Sequence, residues 1–423
     1  MKYITFLLLL CCFMAKAQDT YLQCGVIIDT DTGKSLKEKT IVISGNKIKS
    51  VENGYVNGAE GDEIVDLKSK TVLPGFIDMH VHIEGESSPT RYLDRFTKNP
   101  ADVAFQSTVY AERTLMAGFT TVRDLGGSGV NIALRNAINK GIVKGPRIFT
   151  AGKAIGTTGG HADPTNGMRN DLRGDPGPKE GVVNSAEDGK KAVRQRYKDG
   201  ADVIKITATG GVMSVAKNGR NPQFTIEEVK AITATAKDYG MLTAAHAHGD
   251  EGMQRAILGG IKTIEHGTFM SEETMELMKE YNVYLVPTIS AGKQAAKMAE
   301  IPGFLPPVVA QKAREIGPIS QVTFGKAYKK GVPISFGTDA GVSPHGENAK
   351  EFGFMLESGM PVAESLKSAT ITNALLLGME QNLGQIKPGF LADIIAVDED
   401  PLKNVATLEQ VVFVMKDGVI FKQ

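Results

Sequence analysis

The chain has 423 residues, with 48 Lys and Arg against 48 Asp and Glu, 7 His, 3 Cys and no Trp. Its 42% hydrophobic and 23% charged residues are typical of a globular protein with a large core, which excludes wholesale disorder. A formal net charge of zero, without a basic block, argues against nucleic acid or an anionic membrane surface as a partner. We therefore expect a small molecule, bound in a pocket.

The first 17 residues have the pattern of a signal peptide. Lys2 precedes an apolar run over residues 4–14, and Ala15-Lys16-Ala17 supplies the small-x-small pattern of a signal-peptidase site. The apolar run is too short to span a bilayer, so we predict no membrane span. Cleavage near Ala17 would give an exported protein, either periplasmic or secreted.

The cysteines bear on processing and on stability. Lipidation at Cys11 or Cys12 is the alternative to simple cleavage, but each of them follows a bulky residue. Cleavage leaves Cys24 as the single cysteine, so we expect no disulfide within the mature chain. The same scarcity excludes a zinc site or an iron–sulfur cluster built from cysteines.

Both ends of the mature chain contain short β-runs separated by turn residues. The runs lie at 24–29, 40–44, 47–51, 392–397 and 411–415. We therefore predict a small composite β-domain, a β-sandwich, built from residues 18–74 and 386–423.

Between these ends, over residues 75–385, eight short apolar runs alternate with helix-like stretches. The runs lie at 76–82, 120–125, 147–152, 203–208, 242–248, 263–268, 284–289 and 334–340. The stretches 225–239 and 271–281 begin with Thr or Ser followed by Glu, the capping pattern of a helix. The alternation predicts an α/β fold, a (β/α)₈ TIM barrel.

A doubly wound open sheet is the rival architecture. It should carry a GxGxxG turn after its first strand, and residues 83–86 do not match that turn. The segment 156–181 has no GK[ST] phosphate signature, and we interpret it as a long loop at the barrel mouth.

Six of the seven histidines lie at or shortly after the C-terminal end of a predicted strand, the face that carries barrel active sites. They are His80, His82, His161, His246, His248 and His266, and the seventh, His345, follows the eighth run. His80 and His82 are two apart on an extended strand, so both point the same way and suit a divalent metal. The alternative for this pair alone is two partly exposed histidines.

Lys205 lies among apolar residues in the fourth run. A buried ammonium is costly, so it must pair, lose its proton, or be modified, for example by carbon dioxide to a metal-bridging carbamate. An ordinary ion pair with Asp339 or Asp124 is the alternative. With His246, His248, His266 and Asp339, the residues form a ring of nitrogen and oxygen ligands from five strands, which predicts a metal centre.

These residues resemble the metal-dependent amidohydrolase superfamily over essentially the whole mature chain. The resemblance is carried by residues 75–82, ending in His80-Val81-His82, by Lys205, by Gly337-Thr338-Asp339-Ala340-Gly341 and by Leu391-Ala392-Asp393. Further motifs resemble the prolidase-like and imidazolonepropionase-like branch, with its dipeptidases, carboxypeptidases and ochratoxin-cleaving amidases. They are Thr121-Val122-Arg123-Asp124, Gly159-Gly160-His161, Ala245-His246-Ala247-His248-Gly249, Ile264-Glu265-His266-Gly267 and Pro344-His345-Gly346.

The resemblance implies a binuclear site with two divalent ions, for which zinc suits the ligands. His80, His82 and Asp339 would hold one ion, His246 and His266 the other, and N6-carboxylated Lys205 would bridge them. Asp339 would also be the catalytic residue, moving a proton from water to the leaving nitrogen. A homo-oligomer is implied by the resemblance alone.

The same resemblance assigns His248 to substrate contact. His161 and His345 are candidate pocket contacts, with a structural loop role as the alternative. Arg169 and Arg220 lie on predicted mouth loops, where they could pair with a substrate carboxylate, although most surface arginines do not.

We therefore expect metal-dependent hydrolysis of a C–N amide bond in a dipeptide or N-acyl amino acid. The open alternatives are hydrolysis of a cyclic amide, lactone or phosphotriester, a deamination, and, from another class, a non-catalytic binding protein. Lys205 argues against a deaminase, which usually uses one metal and no strand lysine. The complete ligand set argues against loss of catalysis.

Overall fold

The computed structural model describes residues 18–423. The predicted signal peptide, with its lipidation alternative, lies outside the described residues and stays a prediction. Within the described part of the chain, no helix has both the length and the apolar character needed to cross a bilayer. Cys24 is buried and free.

The secondary structure of residues 18–423 alternates strands and helices between two β-rich ends. The strands are β1 (Asp19–Asp29), β2 (Lys34–Ser44), β3 (Lys47–Asn53), β4 (Glu63–Pro74), β5 (Phe76–Val81), β6 (Phe119–Asp124), β7 (Arg147–Thr150), β8 (Val203–Thr207), β9 (Leu242–Ala247), β10 (Thr263–His266), β11 (Tyr284–Val286), β12 (Ile394–Val397), β13 (Phe413–Lys416) and β14 (Val419–Lys422). The helices are α1 (Arg91–Thr97), α2 (Pro100–Met116), α3 (Val130–Asn139), α4 (Asn170–Arg173), α5 (Ala186–Asp199), α6 (Ile226–Asp238), α7 (Asp250–Leu258), α8 (Glu272–Glu280), α9 (Ile289–Ala299), α10 (Pro307–Lys329), α11 (Lys350–Glu357), α12 (Val362–Lys367) and α13 (Asn373–Leu376), with a π-helical turn at Ser368–Thr372 and a 3₁₀ turn at Val405–Glu409.

Strands from both ends of the chain form one seven-stranded mixed sheet in the order β14-β13-β12-β4-β1-β2-β3. Strand β4, which the sequence patterns did not single out, joins the two ends because it pairs parallel with β1 and antiparallel with β12. A bridge between Lys47 and Leu391 brings β3 close to the segment before β12. The sheet therefore curls around one apolar core, which includes Leu22, Ile41 and Phe413.

The central part of the chain contains two parallel sheets, β5-β6-β7 and β11-β10-β9-β8. Helices connect successive strands, which confirms the α/β class. These seven regular strands form two separate sheets and not one continuous sheet of eight strands. Isolated parallel bridges link the sheets and the segment 334–340, and they pair Ile155 with Ile206, Leu285 with Ile334, and Val81 with Ala340.

The eighth predicted run, 334–340, is not a regular strand, and its backbone is held both by backbone hydrogen bonds, such as Met79 N–H to the Phe336 carbonyl at 3.0 Å, and by side chains. The Asp78 carboxylate accepts hydrogen bonds from the backbone N–H groups of His80 at 3.0 Å and Thr338 at 3.1 Å. The Asn373 amide donates to the carbonyls of Ile77 at 2.7 Å and Phe336 at 2.9 Å. The backbone is thus satisfied without a regular strand pair.

The predicted helix caps are confirmed for α6 and α8. The Thr225 hydroxyl accepts the Glu228 N–H at 3.3 Å, and the Glu228 carboxylate accepts the Thr225 N–H at 2.8 Å. The Ser271 hydroxyl accepts the Thr274 N–H at 3.1 Å. The predicted loop 156–181 is irregular except for the four residues of α4.

We expect Asp78→Asn to destabilise the fold, because all four hydrogen-bonding partners of Asp78 are donors. The new amide N–H₂ would face donors in a buried position, at a cost of about 1–3 kcal/mol in the free energy of unfolding. Urea titration measures this change. Asp238→Asn, at the exposed end of α6, is the matched control and should stay within about 0.5 kcal/mol. Equal unfolding midpoints for the two variants would contradict the role given to Asp78.

Candidate active site

The C-terminal ends of the parallel strands meet at a cavity of about 630 Å³. Eight of the eleven side chains predicted from the sequence line it. They are His80, His82, His161, Lys205, His246, His248, His266 and Asp339. Side chains separated by up to 259 positions in the chain therefore converge on one space, as expected for an active site at this face of parallel strands.

The carboxylate of Asp339 lies between the two histidines of the first His-x-His pair. Its Oδ1 is 3.5 Å from His80 Nε2 and 3.4 Å from His82 Nε2. This oxygen is buried and accepts no hydrogen bond from residues 18–423. The ligand atoms of His80, His266 and Asp339 also lie within 4.8 Å of one another. Such a cluster of unshared lone pairs can hold a cation.

A second cluster consists of His246, His248 and His266, whose ring nitrogens lie within 4.8 Å of one another. The ring centroids of His246 and His266 are 4.6 Å apart, and those of His248 and His266 are 4.9 Å apart. His248 is thus about as close to His266 as His246 is. Its separate role as a substrate contact continues to rest on the family resemblance.

Each of these histidines has one ring nitrogen within hydrogen-bond distance of another protein group, which fixes the orientation of its ring. The bonds join His82 Nδ1 to the Gly126 carbonyl at 2.7 Å, His246 Nε2 to the Gly210 carbonyl at 3.1 Å, His248 Nδ1 to Thr268 Oγ1 at 2.8 Å, and His266 Nδ1 to Thr288 Oγ1 at 2.7 Å. The other nitrogen of each ring remains for a ligand in the cavity.

His80 is oriented by a buried ion pair instead of a carbonyl or a hydroxyl. Its Nδ1 lies 2.9 Å from Glu265 Oε2, and Arg123 donates to Glu265 Oε1 at 2.9 Å. Because a carboxylate can only accept, Nδ1 carries the proton and Nε2 keeps its lone pair. The motifs predicted no role for Glu265 and Arg123. The sequence nevertheless marks both of them, because each is a charged residue within a strand that is otherwise buried.

Lys205 is buried at 3% exposure, with its Nζ 3.5 Å from His80 Nε2. Within the described residues it forms no salt bridge with Asp339 or Asp124. Asp124 instead accepts from Asn131 Nδ2 at 2.7 Å. Burial lowers the pKa of Lys205 to about 8, against the raising effect of nearby carboxylates. Lys205 therefore does not form the ordinary ion pair with Asp339 or Asp124. Its lowered pKa also gives the amine a larger neutral fraction near pH 7 than an exposed lysine would have.

The protonation states suit a metal site. Burial lowers the pKa of His82 and of His248 to about 3, and it lowers the pKa of His80, His246 and His266 well below the usual value. The imidazoles are therefore neutral near pH 7, which is the form that binds metals. Burial raises the pKa of Asp339 to about 7, whereas the charges of Lys205 and Arg91 lower it. Neutral imidazoles with a carboxylate are the donor set of zinc and related divalent ions.

His161 and His345, both predicted as pocket contacts, lie in different places. His161 lines the cavity and stacks on His246 with centroids 4.3 Å apart, which requires glycine at 211, since a Cβ there would lie 2.2 Å from the His161 ring. His345 lies outside the cavity lining, and its Nε2 is 2.9 Å from the Gly85 carbonyl. Its position matches the structural loop role.

The two arginines predicted to meet a substrate carboxylate do not line the cavity. Arg169 is exposed and pairs with Asp171 at 2.6 Å. The Arg220 guanidinium lies 3.7 Å from the centroid of the Phe269 ring and 3.8 Å from a Glu315 oxygen. Local partners therefore engage both guanidinium groups at the surface.

Two further elements shape the cavity, and no sequence motif predicted either of them. Helix α1 supplies three lining residues, Arg91, Tyr92 and Arg95. Lys312 of α10 holds the lining segment 211–216 by donating to three backbone carbonyls, those of Gly211 at 2.7 Å, Ser214 at 2.6 Å and Ala216 at 2.7 Å. No motif marks these residues, because their partners are backbone groups far away in the chain.

Comparisons with known proteins show which family the chain resembles. The model of the amidohydrolase family matches residues 71–421. A solved Xaa-Pro dipeptidase with methionine bound in its active site is 50% identical, with a TM-score of 0.93, over 96% of this chain and 100% of that chain. A solved prolidase in complex with N-methylphosphonate-L-proline is 32% identical, with a TM-score of 0.88, over 96% and 100% of the two chains. Ochratoxinase from Aspergillus niger is 31% identical over 430 residues, 96% of this chain and 87% of that protein.

The resemblance inferred from the motifs is therefore confirmed, including its prolidase-like and ochratoxinase-like branch. The chain is an enzyme, a hydrolase that acts on carbon–nitrogen bonds. Because the family model spans the central sheets and nearly all of the C-terminal strands, the chain belongs to the amidohydrolase family.

Proposed function

We propose that the protein is a metal-dependent hydrolase that cleaves the amide bond of dipeptides or N-acyl amino acids. The observation that carries this proposal is the convergence of neutral imidazoles, Asp339 and Lys205 on one cavity. Its similarity to a dipeptidase, a prolidase and ochratoxinase supports amide substrates of this size. A non-catalytic binding protein would have no need for the complete ligand set.

The metal centre that we propose holds two divalent ions, with zinc as the first choice for these ligands. His80, His82 and Asp339 would hold one ion, and His246 and His266 the other. Lys205 would lie between them as a carbamate: its neutral amine attacks the carbon of carbon dioxide, an N–C bond forms as one C–O π bond opens to give the anion, and the nitrogen loses a proton to solvent. The lowered pKa of Lys205, about 8, supports this chemistry because only the neutral amine reacts.

When bound, the ions would polarise the scissile carbonyl and lower the pKa of water toward about 7. Asp339 moves the proton in this mechanism. Its carboxylate would take one proton of the attacking water and pass it to the leaving nitrogen. His161 and His248 line the cavity beside these ligands and orient the substrate.

The finer architecture belongs to the same proposal. The bridges between Ile155 and Ile206, between Leu285 and Ile334, and between Val81 and Ala340 follow the order that a closed (β/α)₈ barrel requires. They support a barrel over residues 75–385. The curled sheet of β1–β4 and β12–β14 supports a composite β-domain built from residues 18–74 and 386–423.

A substrate panel tests the function directly. We expect the metal-loaded protein to hydrolyse some members of a dipeptide and N-acyl-amino-acid library, with methionine and proline compounds included because such ligands occupy the two solved relatives. Removal of metal by a chelator should abolish turnover, and added Zn²⁺, Mn²⁺ or Co²⁺ should restore it. Turnover only of nucleobases, lactones or phosphotriesters would contradict the proposal.

We expect Asp339→Asn to fold but to lose most of its turnover. The amide cannot accept and deliver the proton, and loss of acid–base catalysis lowers kcat by about 10²–10⁴-fold. Steady-state kinetics on the best substrate of the panel measures this change, and melting curves check the fold. Asp238→Asn is the matched control. A near-native kcat for Asp339→Asn would remove Asp339 from the proton transfer.

Lys205→Gln tests the bridge. Without an amine, no carbamate can form, and we expect the metal content to fall below that of the wild type, as measured by elemental mass spectrometry after gel filtration. Wild-type protein prepared in ¹³C-bicarbonate should show a carbamate resonance that is absent from the variant. Lys237→Gln, on the exposed surface of α6, should keep both signals. Full metal content in Lys205→Gln would refute the bridging role.

A further inference from the structure

Helix α1 lies at the cavity mouth although it buries none of its residues. Tyr92 packs against an apolar cluster that includes Val212 and Val342, and polar contacts add to this packing. These contacts are the Tyr92 hydroxyl donating to the Met213 carbonyl at 2.7 Å, Arg95 Nη1 donating to the Asn166 carbonyl at 3.0 Å and, just before the helix, Ser87 Oγ donating to the Gly341 carbonyl at 3.2 Å. The helix is thereby tied to three separate segments around the mouth, so its first residue, Arg91, has a defined place in the cavity wall.

The guanidinium of Arg91 is available for a ligand. It carries five N–H donors, and its one hydrogen bond among residues 18–423 joins Nη1 to Ser87 Oγ at 3.5 Å. It forms no salt bridge with a carboxylate of the described chain. Its positive charge nevertheless acts on the cavity floor, where, after burial and Lys205, it lowers the pKa of Asp339. An arginine of this kind at a cavity wall is suited to an anionic group of the ligand.

Apart from Lys153, the other cations near the cavity have partners in the protein. Arg95 donates to the carbonyls of Pro164 and Asn166. Lys312 donates to three carbonyls, and Lys205 lies among the histidines of the floor. Lys153 shares the cavity wall with the acidic Glu180. Arg169 and Arg220, which the sequence suggested for a carboxylate, lie outside the cavity lining.

We propose that Arg91 binds the α-carboxylate of the amino acid on the leaving side of the scissile amide. In a dipeptide or N-acyl amino acid, that carboxylate is separated from the scissile nitrogen by one carbon atom. When the scissile carbonyl lies at the floor beside Asp339, the carboxylate therefore reaches the adjacent wall. The planar fork of Arg91 matches it in bidentate geometry.

The consequence is selection for a free carboxylate, and this consequence rests on the proposed hydrolase function. The enzyme would remove a C-terminal amino acid from a short acyl or aminoacyl group. It would discriminate against the same substrate with its carboxylate converted to an amide, because that group carries no charge for Arg91. Neutral amides without a carboxylate would be poor substrates for the same reason.

Paired substrates measure this selection. We expect wild-type enzyme to prefer L-alanyl-L-methionine to L-alanyl-L-methioninamide. In Arg91→Gln, kcat/KM for the free acid should fall by about 10- to 100-fold, mainly through KM, because a charge-assisted hydrogen bond made in the ground state and the transition state is lost. The amide should change by less than about threefold. Arg91→Lys should recover part of the loss, since it restores the charge without the fork.

Control variants separate Arg91 from a general charge effect. Arg194→Gln, on the exposed surface of α5, should behave as wild type. Lys153→Gln, Arg169→Gln and Arg220→Gln remove the rival cations. Collapse of the acid preference in one of these variants, with the preference intact in Arg91→Gln, would overturn the proposal. An equal fall for acid and amide in Arg91→Gln would also overturn it, because it would indicate a structural role.

Binding without turnover distinguishes this proposal from the hydrolase function. Calorimetry with L-methionine and L-methioninamide on the metal-loaded protein should show tighter binding of the carboxylate, and Arg91→Gln should remove that difference. If no dipeptide is hydrolysed but this difference depends on Arg91, the hydrolase function fails and the carboxylate site stands. If wild type does not bind L-methionine more tightly than L-methioninamide, the carboxylate site is wrong whatever the catalytic result.

Discussion

The active site depends on a buried set of lone pairs that the protein itself leaves unshared. Ring nitrogens of His80, His246 and His266 face one space together with Asp339 Oδ1, and that oxygen accepts no hydrogen bond from the described chain. Buried polar atoms without partners cost free energy. A bound cation would lower this cost, because it would share the lone pairs of the neutral imidazoles and the carboxylate. Folding of this region and metal binding are therefore coupled.

Neighbouring polar groups keep that arrangement rigid. The Arg123–Glu265 pair is fully buried, and its carboxylate sets the tautomer of His80. Asp78 holds the segment that carries Asp339, because it accepts the N–H groups of His80 and Thr338. Side chains thus supplement the backbone bonds of this segment, such as Asp339 N–H to the His80 carbonyl at 2.7 Å. They hold a backbone in which Asp339 has a positive φ of 57°.

The sequence was most informative where one local rule decided the outcome. The two-residue period of a strand put His80 and His82 at the same cavity, and the Thr225–Glu228 pattern located the start of α6. Prediction from the sequence failed where groups far away in the chain determined the local structure. The run 334–340 has strand composition but is not a regular strand, and side chains from elsewhere in the chain, Asp78 and Asn373, bond to its backbone. Local sequence rules also could not predict how the loops are placed, and the loops carry Arg169 and Arg220 at the surface instead of in the cavity.

Chemistry and selectivity therefore come from parts of the molecule that are held in different ways. The proposed ligands lie on strands or directly after them within a packed core, where a shift of any one of them would disturb many neighbours. Helix α1 has no fully buried side chain, and the partly buried Tyr92 with its hydrogen bond to Met213 holds it at the mouth. Its exposed positions can change without loss of core packing. Substitutions in α1 can therefore change which leaving group the enzyme prefers, while the proposed metal ligands stay unchanged.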